Sequence, residues 1–338
     1  MPTRNTMPIF VVGFPRSGTT LTQALLGSHP HIAAPPEMSY FRRVRNHPDY
    51  WGDLNDDTVL RRVIETTLDR RSLDDCGFDV DRIMQRVVKT ERSFAGVLDA
   101  TMRDFAERQG KVRWSEKTPL QYASAIWSLF PEALIVHVVR NPIESVASTS
   151  AKLALYRDPA AVARGWRQFT RANMKTGEEK GPSHYLRVRY EDLTEDPETV
   201  LAQVLAFVGE EFDPTMATDV TRRQASVPKT ANPWMSSVLE PIRRANDQSS
   251  RNAFNRWQRA RVAAIVTDVA AELGYEPLTK TEALTGRALN AIVLPLDRLR
   301  DRRAERERGR ARTPEERYER MRANLHHFST ASHEKVGG

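Results

Sequence analysis

The sequence predicts an α/β fold, a P-loop-like three-layer sandwich in which helices cover both faces of a central parallel sheet. An apolar run over residues 9–12 leads through a glycine loop into a helix, the pattern of a buried strand and its following helix. A second apolar strand over 133–139 is followed by Asn141-Pro142, a typical helix start. A third strand over 184–190 precedes a helix over 197–208. Strands that alternate with helices favour a parallel sheet that binds ligands at the carboxyl ends of its strands.

The loop after the first strand has the character of an anion-binding site. Its glycines, Gly13 and Gly18, have the spacing of a phosphate-binding P-loop, and the next helix opens at Thr19. Backbone N–H groups converge at such a corner, and the helix dipole favours negative charge there. Nucleotide hydrolases require lysine where this chain has Thr19, and Arg16 lies inside the loop instead. The loop therefore predicts a site for a phosphate or sulfate ester rather than for ATP hydrolysis.

Apolar residues at helical spacing predict six further helices. They are expected over 57–71, 80–89, 94–109, 120–130, 160–175 and 257–273. We interpret residues 113–119 as a turn-rich connection, and 226–255, rich in Pro, Asn and Ser, as an ordered loop. A capping box at Thr313–Glu316 predicts a terminal helix that continues to about His326.

The chain is expected to form one main domain with two additions. The α/β domain covers residues 1–280 and includes a helical insertion at about 38–112. A charged helical extension covers 281–338, either as a dimerisation arm of a homodimer or as a cover over a neighbouring active site. An aromatic and basic stretch over 38–51 is either a packed surface segment or a wall of an acceptor pocket.

The charge pattern argues against a nucleic-acid-binding surface. The net charge is +7 over 338 residues, and between Asp297 and Arg322 there are 11 arginines against 7 acidic residues. The rest of the chain is nearly balanced, so no nucleic-acid partner is indicated. For the basic tail, peripheral contact with an anionic membrane surface stays open beside the simpler interpretation of a solvated charged helix.

Cysteine usage and hydropathy narrow the class of protein further. Cys76 is the single cysteine, which excludes an intramolecular disulfide and a cysteine-based metal site. No apolar run approaches the length needed to cross a membrane, so we expect a soluble, cytoplasmic protein.

The second strand-to-helix corner carries a second set of anion-binding side chains. Arg140 stands at the end of the strand, and Ser148 and Lys152 follow on one face of the next helix. A hydroxyl, an ammonium and a guanidinium can therefore reach one anion. Two separate anion sites suit a ligand that carries phosphate groups at both ends of a nucleoside.

These corners resemble motifs of the sulfotransferases that use 3′-phosphoadenosine 5′-phosphosulfate (PAPS). The stretch 14–20 is similar to the family's 5′-phosphosulfate loop, 139–148 to its 3′-phosphate motif, and 189–193 to an element behind the nucleotide. The resemblance covers about residues 9–275.

One branch of that family is most similar to this chain, the bacterial branch that shares features with tyrosylprotein sulfotransferases. In that branch the glycine loop is followed by a His-Pro turn and a catalytic glutamate. Here the same path runs from Arg16 through His29-Pro30 to Glu37.

The resemblance implies PAPS as co-substrate, 3′,5′-ADP as its product, and no required metal. The implied nucleotide contacts in the first loop are Pro15, Arg16, Ser17, Gly18, Thr19 and Thr20. The remaining ones are Arg140, Ser148, Lys152, Tyr190, Ser226 and Arg256. Ser226 and Arg256 are the nearest candidates for the family's serine and its basic residue beside a tryptophan, although the segment between them is longer than the family's.

Three catalytic residues are implied in the same way. Glu37 would accept the acceptor's proton, Lys117 would contact the bridging oxygen and leaving phosphate, and Arg16 would stabilise the transition state. Sulfuryl transfer moves a group with a single negative charge, so positioning and charge stabilisation dominate. The alternatives are a solvent-exposed loop acid at Glu37 and a helix-capping or surface lysine at Lys117.

The expected reaction is transfer of a sulfuryl group from PAPS to a hydroxyl of a small-molecule, carbohydrate or glycolipid acceptor. A phenol or a peptide tyrosine fits the sequence equally well. A P-loop kinase or NTPase is one alternative, but the chain has Thr19 in place of lysine and Arg140-Asn141 where an acidic Mg²⁺ ligand would stand. A non-catalytic nucleotide-binding protein on the same fold is the other, and it would not need Glu37 and Lys117.

Overall fold

The centre of the fold is a five-stranded parallel sheet in the strand order β2-β3-β1-β4-β5. The computed structural model describes residues 6–38, 40–41, 44, 51–68, 76–118, 121–152, 158–226, 237–244, 254–275, 284–286 and 288–291. The strands are β1 (Ile9–Gly13), β2 (Ile32–Ala33), β3 (Arg113–Lys117), β4 (Leu134–Val139) and β5 (Tyr185–Arg189). Phe10 of β1 lies between Glu116 of β3 and Ile135 of β4, which sets the register.

Helices connect the strands and form the outer layers of the sandwich. Their bounds are α1 (Thr19–Gly27), α2 (Asp57–Thr67), α3 (Val80–Lys89), α4 (Phe94–Arg108), α5 (Ala123–Leu129), α6 (Pro142–Lys152), α7 (Pro159–Lys180), α8 (Tyr190–Glu195), α9 (Pro197–Val208), α10 (Thr215–Thr218) and α11 (Arg256–Glu272). Two 3₁₀ helices, Val220–Ser226 and Ser237–Leu239, follow α10.

The sheet is buried on both faces, as its apolar central strands require. One face carries Ile9 and Val11 against α1 and α9. The opposite face carries Phe10 with Trp114, whose rings meet edge to face at 5.5 Å, under α2 to α5. Further along, α6, α7 and α11 form a third apolar cluster. The three-layer α/β prediction is confirmed.

Most predicted elements are present, with ends shifted by a few residues. Strands β1, β4 and β5 and helices α2 to α7, α9 and α11 match the sequence patterns. Side-chain caps begin two of these helices: Ser93 accepts a hydrogen bond from the Gly96 amide (2.9 Å), and Asp196 accepts one from the Thr199 amide (3.1 Å).

The interpretation of residues 113–119 as a turn-rich connection is wrong. Residues Arg113 to Lys117 form β3, which lies between β2 and β1 and is buried along its whole length. The segment lacks the apolar pattern of a buried strand because its polar side chains find partners far away in the chain. Arg113, for example, donates to the Val208 carbonyl (2.8 Å) and to Glu210 (2.9 Å).

Several expectations fall outside the described residues. These are the terminal helix near Thr313–His326, the role of the C-terminal extension as a dimerisation arm, and most of the loop over 226–255. Among the helices that the structure describes, none has the length and apolar content to span a membrane.

Candidate active site

The phosphate loop connects β1 to α1 through two residues with left-handed backbone. Arg16 has φ 67° and Gly18 has φ 97°. A positive φ is strained for arginine, and such strain concentrates at ligand-binding turns. Gly18 is the N-cap of α1 and supplies no side-chain hydrogen bond, so no cap group occupies the first amides of this helix. These amides are placed to bind an anion.

Both of these loop positions require glycine because neighbouring atoms leave no room for a Cβ. A Cβ on Gly13 would lie 2.6 Å from Thr19 Cγ2 and 2.7 Å from the Val138 carbonyl oxygen. A Cβ on Gly18 would lie 2.2 Å from the ring of Tyr190. Tyr190 therefore packs directly on the loop. In the resemblance, this residue belongs to the element behind the nucleotide.

The structure brings the two predicted corners into direct contact. Arg16 Nε donates to Ser148 Oγ (3.2 Å), and an Arg140 NH group donates to the Arg16 carbonyl (3.1 Å). Two more hydrogen bonds join the loop to α6: Ser17 Oγ lies 3.4 Å from Ser145 Oγ, and the Thr149 hydroxyl donates to the Pro15 carbonyl (3.1 Å). Loop and helix thus form one rigid anion-binding corner.

Arg140 is held on three sides. Its guanidinium lies over the Tyr190 ring at 4.7 Å and donates to Glu144 Oε2 at 2.8 Å, besides its bond to the loop. Burial lowers the pKa of Arg16, and the positive charge of the nearby Arg140 lowers it further. Two neighbouring cations of this kind are stabilised by a bound polyanion.

The element at 189–193 supports the corner through its glutamate. Glu191 Oε1 accepts a hydrogen bond from the Asn141 amide (2.9 Å), and Tyr275 donates to Glu191 Oε2 (2.8 Å). Asn141 Oδ1 in turn accepts from the Ile143 amide (3.0 Å), so the start of α6 is fixed from both sides. The sequence shows the motif but not this role of Glu191.

A cavity of about 250 Å³ opens above the loop. Its lining residues are Arg16, Gly18, Thr19, Thr20, Leu21, Arg140, Tyr190, Val238, Glu240, Pro241, Ile242 and Arg243. The wall segment, which we define as residues 238–243, was not anticipated as part of a site. Nothing in its local sequence marks a ligand contact, because the segment reaches the cavity only through the tertiary fold.

The expected catalytic pair is also assembled. Lys117 Nζ lies 2.9 Å from Glu37 Oε2 and donates to Thr20 Oγ1 at 3.3 Å. The lysine side chain is 7% exposed and the glutamate 32%. Thr20 lines the cavity, so the Lys117 ammonium stands between the cavity and a solvent-accessible carboxylate.

Glu116 is a fully buried carboxyl beside this pair. Neither of its oxygens makes a hydrogen bond of good geometry with the residues that the structure describes. Burial raises the pKa of Glu116 well above its usual range, and the Glu37 carboxylate adds to this effect. The Lys117 ammonium and the Met38 amide oppose the shift less strongly.

Six predicted nucleotide contacts are not among the residues that line the cavity: Pro15, Ser17, Ser148, Lys152, Ser226 and Arg256. The first three belong to the contact between the loop and α6, whereas the described residues do not bring the other three to this corner. Ser226 is buried against Gly27, at the far end of α1 and about 12 Å along that helix from the loop. Arg256 begins α11 and stacks on the Trp257 ring at 4.5 Å. Lys152 is the last residue of α6, and its side chain lies outside the described part of the chain.

Sequence comparison assigns the chain to a family. The profile of the sulfotransferase family matches residues 8–214, which is more than half of the chain. The protein belongs to the sulfotransferase family.

Individual relatives agree with this assignment. The chain is 29% identical over 236 residues to nodulation protein NoeE of Sinorhizobium fredii, covering 61% of this chain and 50% of that protein. It is 24% identical over 291 residues to protein-tyrosine sulfotransferase 2 of Gallus gallus, covering 80% and 69%. The chain spans 31% of the length of an Aquifex aeolicus relative and 50% of the length of NoeE.

A solved structure shows the same fold. The sulfotransferase domain of the Synechococcus PCC 7002 olefin synthase superposes with a TM-score of 0.59 at 22% identity, covering 82% of this chain and 98% of that one.

Proposed function

We propose that the protein is a PAPS-dependent sulfotransferase that transfers a sulfuryl group to an acceptor hydroxyl. The observation that carries the proposal is the chain of contacts from the cavity through Thr20 and Lys117 to Glu37. It puts a cation between an anion-binding loop and a carboxylate, as the transfer of a charged group from a phosphate to a hydroxyl requires.

The loop and the second corner would bind the two ends of the donor. The amides at the start of α1, with Arg16, Ser17, Thr19 and Thr20, would hold the 5′-phosphosulfate. Arg140 and Ser148 would hold the 3′-phosphate, with Lys152 as a further contact from the end of α6. Tyr190 would pack against the nucleotide from its place on Gly18. Ser226 and Arg256 stay outside this proposed contact set.

The reaction would be an in-line displacement at sulfur. The acceptor oxygen forms a bond to sulfur, the bond from sulfur to the phosphate oxygen breaks, and 3′,5′-ADP leaves. The acceptor's proton passes to Glu37, whose partly exposed carboxylate can reach an acceptor. Lys117 and Arg16 stabilise charge on the leaving phosphate and on the transferring group.

The candidate acceptors are hydroxyls of small molecules, carbohydrates or glycolipids, together with phenols and peptide tyrosines. Incubation of labelled PAPS with extract of the source organism, followed by mass spectrometry of labelled products, identifies it. Glu37→Ala is the control that separates enzymatic from background transfer.

Donor binding tests the proposal directly. We expect 3′,5′-ADP to bind in calorimetry and to raise the unfolding temperature. Binding of ATP with Mg²⁺ but not of 3′,5′-ADP would contradict the proposal and favour a P-loop kinase or NTPase. Tight 3′,5′-ADP binding without sulfate transfer to any extract component would favour the non-catalytic alternative.

A further inference from the structure

The wall segment, residues 238–243, is the part of the cavity that the sheet does not supply. The phosphate loop and α6 are continuous with β1 and β4, whereas the wall begins within a short 3₁₀ helix, Ser237–Leu239. Within the wall, Val238 packs on Ala24 of α1. The position of the wall must therefore be determined by tertiary contacts.

Among the described residues, one buried side chain makes hydrogen bonds to two backbone carbonyls of this wall. Arg223 is 0% exposed. One of its terminal nitrogens donates to the carbonyls of Val238 (3.3 Å) and Glu240 (3.2 Å). The other donates to the carbonyl of Ala217 (2.6 Å), with that of Met216 at 3.5 Å. The guanidinium thus joins the wall to the end of α10.

The contact set of Arg223 is unusual for a buried charge. Its hydrogen bonds in the described residues go to backbone carbonyls and not to a carboxylate. Burial lowers the pKa of Arg223, and the Asp219 carboxylate only partly opposes this. Because a buried charge is costly unless its hydrogen bonds are made, the guanidinium and the wall carbonyls depend on each other's positions.

The wall that Arg223 holds carries charged groups of its own. Arg243 pairs with Glu240 at 3.1 Å, and both line the same cavity as Arg16 and Arg140. The Arg243 side chain is 81% exposed, so its location at the cavity comes from the backbone of the wall and not from burial.

We propose that Arg223 is a positioning residue for the donor site: through the carbonyls of Val238 and Glu240, it holds the wall so that Arg243 faces the ligand as a third cation. This rests on the proposed function, since the ligand is taken to be a nucleotide with several anionic groups. Arg223 itself acts through the wall and does not contact the donor.

The test compares Arg223→Lys with Arg222→Lys. Lysine keeps the charge, but a single ammonium cannot contact carbonyls on both sides. Arg222 is the neighbouring arginine on the same 3₁₀ helix, and it pairs with Asp213 (2.7 Å) instead of the wall. Calorimetry with 3′,5′-ADP, hydrogen exchange of the amides in 237–244 and thermal unfolding are measured on all three proteins.

We expect Arg223→Lys to weaken 3′,5′-ADP binding about tenfold or more, to speed exchange in 237–244 selectively, and to raise KM for the donor more than it lowers kcat. Arg222→Lys should leave binding and exchange unchanged. Affinity within twofold of wild type, or faster exchange spread evenly over the chain, would overturn the proposal.

A second variant covers the case in which Arg223→Lys does not fold. Arg243→Gln changes an exposed side chain and should lose 3′,5′-ADP affinity without changing the unfolding temperature. Unchanged affinity in this variant also overturns the proposal. If wild type itself does not bind 3′,5′-ADP, the proposed function fails, and the exchange of 237–244 still decides whether Arg223 holds the wall.

Discussion

Lys117 Nζ lies 2.9 Å from Glu37 Oε2, although 80 positions of the sequence separate the two residues. The lysine ends the buried strand β3, and the glutamate follows the short edge strand β2. Because these strands are parallel neighbours, their carboxyl ends meet at one edge of the sheet. That edge is where the phosphate loop also begins, so the pair and the loop form one site.

The Glu37 carboxylate is expected to act in chemistry and not in donor binding. Glu37→Gln keeps the shape of the side chain but cannot accept the acceptor's proton, so kcat should fall about 10²-fold or more. Sulfate transfer from labelled PAPS and 3′,5′-ADP calorimetry measure the two effects separately. A variant with wild-type kcat would remove Glu37 as the base.

Ser148 is expected to contribute to affinity because its hydroxyl fixes the Arg16 guanidinium. In Ser148→Ala this bond and a proposed 3′-phosphate contact are both lost, so 3′,5′-ADP should bind about tenfold more weakly. Ser150→Ala is the matched control on the same helix, since its hydroxyl has no hydrogen-bond partner among the described residues. Equal affinities of the two variants would contradict the assignment.

Gly18 should not tolerate a side chain. Its φ of 97° costs alanine about 1–2 kcal/mol, and the added Cβ would meet the Tyr190 ring at 2.2 Å. Gly18→Ala is expected to abolish detectable 3′,5′-ADP binding while the protein still folds, as followed by calorimetry and circular dichroism. Combining it with Tyr190→Ala relieves the contact but not the backbone strain, so binding should stay impaired.

Glu116 should make wild type lose stability as pH rises. Its pKa is raised in the folded protein, so between its unfolded pKa, about 4.3, and the folded one, the unfolded chain releases a proton that the folded protein keeps. In that window the free energy of unfolding falls by up to about 1.4 kcal/mol per pH unit from this group. The glutamine side chain of the Glu116→Gln variant ionises in neither state, so the free energy of unfolding of this variant does not fall in this way.

Urea unfolding at several pH values checks the Glu116 prediction. The variant should match wild type near pH 4 and exceed its stability by a growing margin toward pH 7. Glu65→Gln, which changes an exposed carboxylate on α2, is the control, and its difference from wild type should not grow in this way. A pH-independent difference for Glu116→Gln would show that its carboxyl ionises normally.

The sequence by itself determined the two anion-binding corners. Each consists of an apolar strand, a helix start and the residues between them, so all the signals lie within a short stretch. Arg16 and Arg140 could be predicted as ligand contacts for this reason, and both line the cavity in the structure. The α/β class followed from the same local patterns.

The tertiary structure alone decided the burial of β3 and the position of the wall. The sequence around β3 is polar, and its burial depends on partners such as Glu210, which lies 97 residues from Arg113. The wall over 238–243 reaches the cavity through carbonyls held by Arg223, and backbone carbonyls leave no trace in a sequence. The sequence of a polar segment does not show which distant group will be its hydrogen-bond partner, because burial and hydrogen bonding are properties of the packed chain.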